Sequence, residues 1–587
     1  INNLLIMSSF DFHSELNVNI LGHIFEQSLT DLEEIKGSEG GIPKRKKEGI
    51  YYTERYITEY ICKNTIIPYL SLKGTNDVYQ LIDEYSKNID ALEKRFREIK
   101  ILDPACGSGA FLLQAVDTLL DVHREITRFK EAKGRYVTTK KGKKTTAEVF
   151  TLSKWSEEEE ARKIIENNIF GVDLNEESVE ITKLSLFLKI ASTNRKLIDL
   201  SQNIKTGNSI IDDKSITEKG FVWEKEFPDI FKKGGFDIVI GNPPYGRYGT
   251  LSDEQKTYLK EKNYLGDTAD ISESFILAAG ERFVKQDGFF GFIIPKGLSY
   301  VVSWGKTRQH ILDNFNMIRL ADASEAFPEV LYEQMIFVLR KENKRNDLIE
   351  LSIIRPDSLE TTTLERTYFT KRIFPIGLSC DKIPILKKIQ KNCIPLREGL
   401  MDYWYGKGGM TPLVNKEGKG VKLLTGKEIA RFGFNLDIEP WYLKEENLNE
   451  TDKKRTSVDK VVVQDIVAHI TKPKPHIMIT AALDKEKRFC LNTVMCFAEN
   501  GKGCSNEMLL AVLNSKFMSF YYYYFVFNQA VRTMHFMPGY SDYIPIPRNY
   551  KQYEPRLVEK CRQMIALTDN YNILKAKFIN RAKDNIG

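Results

Sequence analysis

No CxxC pair and no regular spacing relates the eight cysteines of this 587-residue chain: Cys62, Cys106, Cys380, Cys393, Cys490, Cys496, Cys504 and Cys561. Neither a disulfide framework nor a zinc site follows from such scatter, and a reducing cytoplasm is the expected compartment. No apolar run approaches the roughly 18 residues of a membrane span, and no charged-then-apolar leader with a cleavage site opens the chain. Internal repeats are absent as well. Charge of one sign barely predominates: 86 basic against 80 acidic residues give a net +6, which suits a polyanionic partner only where the basic residues cluster. What is present, 42% hydrophobic and 28% charged residues, fits a globular chain of about three or four domains. The first residue is Ile, not Met, and a piece of a longer product is expected.

Three textures follow one another. ILGHIFEQSLTDLEEI, from Ile20, spaces apolar residues by three and four and reads as helix. After the Gly-rich GSEGGIP and a basic run, Lys44 to Lys47, the stretch EGIYYTERYITEYI enters an amphipathic helix. From Lys100, short apolar strands alternate with helical segments in IKILDPACGSGAFLLQAVDTLL, NIFGVDLNEESVEITKLSLFL, FDIVIGNPPY and GFFGFIIP. That alternation predicts βαβ units and an open, largely parallel sheet, with ligands at the carboxyl ends of its strands. The basic, aperiodic KEAKGRYVTTKKGKK from Lys130 reads as an insertion. Beyond about residue 345, irregular strands rich in aromatics predict a second globular body of roughly 200 residues.

In ILDPACGSGAFLL an acidic residue, Asp103, ends a strand before a turn with Gly107 and Gly109. Glycines let the backbone adopt positive φ and let a ligand approach closely. A dinucleotide fingerprint has a third glycine, whereas here Phe111 stands two residues past the second one, and Asp103 would repel a pyrophosphate. A cation-bearing ligand suits it better, such as the ammonium and sulfonium of S-adenosylmethionine. Asp173 ends the next strand, 70 residues later. Two roles are open to it: accepting both ribose hydroxyls of a nucleoside, or capping the helix that follows.

The run DIVIGNPPYG brings Asn242, Pro243, Pro244 and Tyr245 to the same rim. Two prolines fix φ and remove two N–H donors, which leaves backbone carbonyls as undisputed acceptors beside the Asn242 side-chain oxygen. Acceptors converging on one amino group hold both of its hydrogens and aim its lone pair at an electrophile. Tyr245 is expected to offer an exposed flat face to a base extruded from a duplex. The competing reading of an isolated NPPY is a proline turn after a strand.

Glycine loop, acidic strand end and NPPY, in this order, resemble the gamma-class DNA N6-adenine methyltransferases, over residues 20 to 550 or so. The similarity is closest to the type IIG restriction-modification polypeptides, in which a helical segment, a methyltransferase domain and a target-recognition domain succeed one another. The resemblance implies a Rossmann-like α/β methyltransferase domain over 49–345, preceded by a helical connector, 1–48. A linker, 346–392, an α+β target-recognition domain, 393–550, and a C-terminal helical segment, 551–587, complete it. By the same resemblance S-adenosylmethionine is the cofactor, held by Tyr52, Thr53, Asp103, Ala105, Gly107, Gly109, Asp173, Asn208 and Phe275. Glu54 stands where the family often has Pro, Asn208 where Asp is commoner, and Ile276 is the alternative to Phe275. Asn242, Pro243, Pro244 and Tyr245 become the catalytic motif, with Phe327 opposite Tyr245 across the target base.

Later landmarks resemble those of recognition domains, and Lys407, Lys427 and Arg431 are the candidates for contact with double-stranded DNA. The run Tyr521 to Tyr524 is expected to pack in the core. No metal site is expected. Type IIG proteins usually carry a nuclease ahead of the helical segment, whereas about 48 residues precede the first cofactor motif here and hold no convincing carboxylate pair with a following Lys. Endonuclease activity is therefore not expected of this chain: either a nuclease domain or subunit lies outside it, or the protein methylates only. Two other readings compete with site-specific adenine methylation: a DNA-binding specificity module on a scaffold fold, and a methyltransferase acting on RNA or protein glutamine.

Overall fold

A computed structural model describes residues 53–584, apart from 135–155, 191–197, 247–250, 328–332, 411–412, 532–533 and positions 269, 325, 417 and 436. The expected N-terminal helix, the run Lys44 to Lys47, Tyr52 and most of the basic insertion lie outside the described residues. Two compact units divide at Ile376 and Gly377. Among the described residues no helix is long and apolar enough to cross a membrane, and all eight cysteines are free.

The first unit is built on a nine-stranded mixed sheet in the order β3-β2-β1-β4-β5-β7-β6-β8-β9. Helices α1 (Arg55–Leu70), α2 (Val78–Glu84) and α3 (Ile89–Glu98) lead into β1 (Ile101–Asp103), α4 (Ala110–Gly134), α5 (Glu157–Asn168) and β2 (Ile169–Asp173). Then come α6 (Glu176–Lys189), β3 (Ile204–Thr206), β4 (Phe236–Gly241), α7 (Ile271–Ala278) and β5 (Val284–Pro295). The unit closes with β6 (Asn316–Asp322), β7 (Gln334–Arg340), β8 (Leu348–Arg355) and β9 (Ser358–Glu365).

From β3 to β5 every pairing is parallel, as the strand–helix alternation predicts. Past β5 the sheet is mixed: β6 and β8 pair in parallel, and the other pairings are antiparallel. β7 inserts between β5 and β6, antiparallel to both; the 323–333 connection from β6 is too short for the dozen or more residues of a parallel crossover. The segment expected as a linker, 346–392, is also different: β8 and β9 form an antiparallel hairpin on the sheet edge, and Lys382–Asn392 forms a helix, α8. Its start, LIELSIIR, alternates exposed or half-exposed with buried positions over the first residues of β8, as a strand with one face on the core requires.

The core forms on the face under α1, α3 and α4. Ile57, Ile61, Leu112, Val116, Leu119, Ile101 and Ile238 are each 0% exposed there. The first residues of the basic insertion belong to α4, where Lys130 pairs with Asp90 at 2.7 Å and with Glu93.

In the second unit, β10 (Asp402–Tyr405), β11 (Lys460–Gln464), β12 (Ala481–Asp484) and β13 (Val494–Ala498) form an antiparallel sheet, ordered β10-β13-β11-β12. Helices α9 (Asn506–Leu513) and α10 (Lys516–Phe525) follow, and α11 (Tyr550–Asp584) ends the unit. Tyr522 and Tyr523 of the tyrosine run are buried, and the Tyr522 hydroxyl donates to the Tyr540 carbonyl at 2.8 Å. Packing is the role expected of them.

Candidate active site

Strand order decides where the motifs meet. β1 lies between β2 and β4, at the point where successive crossovers turn in opposite directions, so a crevice opens at the carboxyl ends of these strands. Asp103, Asp173 and Gly241 are the last residues of the three.

The turn after β1 is fixed from both sides. Cys106 N donates to Val172 O at 3.1 Å, Gly109 N to Cys106 O at 2.8 Å, and the Thr182 hydroxyl of α6 to Gly107 O at 2.6 Å. Gly107 and Gly109 sit at φ 51° and 88°, where an L side chain would be strained. Gly107 N reaches the Asp173 carboxylate at 2.9 Å, whose other oxygen accepts from Asn175 N at 2.9 Å. Asn175, not Asp173, caps α6, accepting from Glu177 N and Ser178 N. Asp173 is thereby left to face the crevice, and burial raises its pKa.

Asp103 is 1% exposed and accepts from Ala105 N at 3.0 Å. No cationic side chain pairs with it among the described residues. Burial is the main cause that pushes its pKa from 3.8 up to about 8; the Ala105 N–H opposes the shift and the Asp173 charge adds to it. A Cβ placed on Gly241 would lie 2.6 Å from the Asp103 Oδ1. The acidic strand end and the start of NPPY thus touch.

Asn242 is held at both ends of its amide. Its Nδ2 donates to the Thr53 hydroxyl at 3.1 Å, and its Oδ1 accepts from the Tyr245 hydroxyl, which also reaches Ile293 O of β5 at 3.0 Å. The exposed ring expected for Tyr245 is not what the structure has: the residue is 8% exposed, with its phenol turned inward, because a buried hydroxyl must find acceptors. Burial, then the Asp270 charge, raises the phenol well above its usual pKa. Pro243 is buried and Pro244 half-buried.

The remaining candidates divide. Thr53, expected over the cofactor, accepts from Asn242 Nδ2. Asn208 uses its side-chain oxygen on Ile210 N and Ile211 N, both at 3.2 Å, which leaves only its amide N–H groups for a ligand. Phe275 is buried in α7, whose first N–H bonds the Gly246 carbonyl at 2.9 Å. Phe327 shares one core cluster with Ile293 and Ile240. Ser209, which the motifs do not flag, donates to Pro104 O at 2.6 Å and ties the third strand end to the glycine turn; only its position after the strand-ending TGN could have marked it.

Lys407, Lys427 and Arg431 belong to the second unit. The Lys407 ammonium bonds Asp452 at 2.8 Å and lines a pocket open to solvent with Trp404 and Arg455. Lys427 is exposed in a turn closed by Thr425 and Glu428. The Arg431 guanidinium donates to the carbonyl of Asn514, the C-cap of α9, since helix carboxyl ends attract cations.

Residues 167–327 match the Eco57I restriction-modification methylase family, and 421–546 match the TaqI-like C-terminal specificity domain. The type II restriction enzyme and methyltransferase RM.Eco57I of Escherichia coli is 24% identical over 360 residues, 58% of this chain and 33% of that protein. Type II methyltransferase M.VspI of a Vibrio species is 21% identical, over 56% of this chain and 54% of its own. The chain spans a third to about half the length of these relatives. Its fold is similar to that of the type IIL restriction-modification enzyme MmeI, solved in complex with DNA, with a TM-score of 0.50 and 14% identity over 80% of this chain and 65% of that one.

Proposed function

Since this chain joins an Eco57I restriction-modification methylase domain to a TaqI-like C-terminal specificity domain, in the order of the type IIG polypeptides, we propose that it is a site-specific adenine-N6 methyltransferase of duplex DNA. S-adenosylmethionine is its methyl donor and the cytoplasm its compartment. The observation that carries this reading is the contact between the Asp103 carboxylate and the Gly241 backbone, which brings a cation-seeking pocket and an amine-gripping motif within one crevice.

The residues fit the cofactor by their chemistry. Asp103 is a buried carboxylate with no counter-cation among the described residues, and burial holds its pKa up; a ligand with ammonium and sulfonium charges supplies the missing partner. Asp173, oriented by two backbone N–H groups, has lone pairs left for ribose hydroxyls. When bound, the cofactor supplies an electrophilic methyl group.

The chain's own residues do the rest by positioning and electrostatics. Asn242 Oδ1 and the carbonyl of Pro243 accept the two hydrogens of the adenine amine and turn its lone pair outward. No general base is needed before transfer, because the lone pair already exists, and the amine proton leaves afterwards. Extruding the base costs a few kcal/mol of stacking, offset by aromatic contact with Tyr245 and Phe327. Lys427 and Lys407 of the second unit contact DNA phosphates. Cleavage is assigned to a nuclease domain or subunit outside this sequence.

Adenine and the Tyr245 phenol compete for the same Asn242 oxygen. Tyr245→Phe, which keeps the ring and frees that oxygen, should retain wild-type kcat within about threefold with an unchanged or lower KM for DNA. Tyr245→Ala should lose about 10²-fold in kcat. Equal losses in both would refute the competition.

Cofactor affinity should depend on pH with a definite sign. A cation favours ionised Asp103, so below its pKa of about 8 binding must expel a proton, and affinity rises by up to about tenfold per pH unit toward that value. Calorimetric titration of S-adenosylmethionine across this range, in buffers of different ionisation heat, measures both slope and proton release. The function itself is tested by methyl transfer to duplex DNA against RNA and protein, with sequencing of methylated bases in DNA from cells expressing the chain. Methylated glutamine or RNA with unmodified DNA would overturn the proposal.

A further inference from the structure

Lys296 follows the last residue of β5, is 2% exposed, and lies outside every motif considered above. Its ammonium contacts Asp322 Oδ2 at 2.8 Å, Ser324 Oγ at 2.8 Å and Glu333 Oε1 at 3.5 Å. Its backbone N–H donates to Glu333 O at 2.8 Å. An ammonium has three N–H donors, and here two of its three acceptors belong to the two feet of the connection from β6 to β7, which carries Phe327. Further bonds fix the first foot: Asp322 Oδ1 accepts from Ser324 N at 3.0 Å and Ser324 Oγ at 2.6 Å, and Ala323 N donates to Gln334 O at 3.1 Å.

Three residues earlier in β5, the Ile293 carbonyl accepts from Tyr245, and the Ile293 side chain packs in one cluster with Ala323, Ala326 and Phe327. One strand end therefore bonds one aromatic assigned to the target base and shares a core cluster with the other. Stability alone does not account for the choice of lysine, since a buried ion pair is often no better than apolar residues of the same volume.

We propose that Lys296 is a positioning residue for base capture: its ammonium ties both feet of the 323–333 connection to the end of β5, which holds Phe327 in register with Tyr245. This rests on the methyltransferase reading. Displacing the ring by about 1 Å is enough to lose about 10²-fold in rate.

The test uses the full chain and a duplex bearing the site mapped by methylation sequencing. Lys296→Met should lower single-turnover kcat by about 10²-fold, with the affinity for S-adenosylmethionine and the KM for DNA within about twofold of wild type. Lys296→Arg, which restores a cation with several donors, should recover most of the rate. Arg355, 3.6 Å from Asp322 Oδ1, still offsets the carboxylate in the Met variant. A second variant, Ser324→Ala with Glu333→Leu, removes the ammonium's two side-chain ties to the connection but keeps the buried Lys296–Asp322 pair and the main-chain bond from Lys296 N to the carbonyl of position 333, so that it reports on positioning even if Lys296→Met does not fold. Its kcat should fall by at least about tenfold at unchanged cofactor affinity. Wild-type kcat in this second variant, or a loss shared equally by cofactor binding and kcat, overturns the inference. Absence of DNA methylation by the wild-type chain overturns the functional reading instead.

Discussion

Asn242→Ala should reduce methyl transfer by about 10³-fold while cofactor affinity stays within about twofold, the scale seen when one preorganised polar group facing the reacting centre is removed. The side-chain oxygen is the partner of one amine hydrogen, and the Pro243 carbonyl that remains can hold only the other. With one hydrogen free the amine relaxes toward planarity, and its lone pair returns to the ring. Little stability is lost: Asn242 is only partly buried, Tyr245 keeps its bond to Ile293 O, and the Thr53 hydroxyl loses a single partner. Single-turnover transfer from labelled cofactor to the mapped duplex measures the first number and equilibrium titration the second. Turnover close to wild type would defeat the amine clamp.

The second large effect is a trade between stability and binding. Folding takes Asp103 from an ordinary carboxyl to a site where its pKa is about 8. The Asp103 contribution to the stability of the ligand-free protein accordingly falls as pH rises from 3.8 to about 8 and stays flat above, because the unfolded chain ionises first. At pH 7 the penalty is on the order of 4 kcal/mol. Asp103→Asn removes it, and the new amide N–H groups reclaim about 1–3 kcal/mol where they find no acceptor. The variant should therefore melt higher than wild type at pH 7 and above, yet bind S-adenosylmethionine about 10²-fold more weakly, having lost a charge pair in a low-dielectric pocket. The pH slope of cofactor binding should flatten with it. Calorimetry of unfolding and of binding on one sample decides; a variant that melts lower and binds normally would show that Asp103 is structural.

Much of this site was legible in local pattern. ILDPACGSG announces a strand, an acid and a turn that only glycine tolerates at φ 51° and 88°, and GNPPYG announces its own rigidity through its prolines. Local pattern is blind to partners, and the departures lie there. Asn175 takes the cap that Asp173 could have supplied, a choice made by where β2 ends relative to α6. Tyr245 is turned inward because Ile293 and Asn242 offer acceptors there. Arg431 reaches a helix end 83 positions along the chain, and Lys296 reaches Asp322, Ser324 and Glu333, between 26 and 37 positions away.

From its own order of residues the chain determines which segments are strands and helices, which turns require glycine or proline, and which side chains stand at strand ends, since these depend on a few neighbouring dihedrals and on apolar spacing. Sheet order is another matter. That β4 lies against β1, 133 residues after it begins its return past Asp103, that β7 runs against β5, and that Gly241 abuts a carboxylate are results of global packing. Burial of whole faces and pairing of distant edges decide them together. Chemistry here needs charge, amide and aromatic groups within bonding distance, and only the folded sheet brings them there.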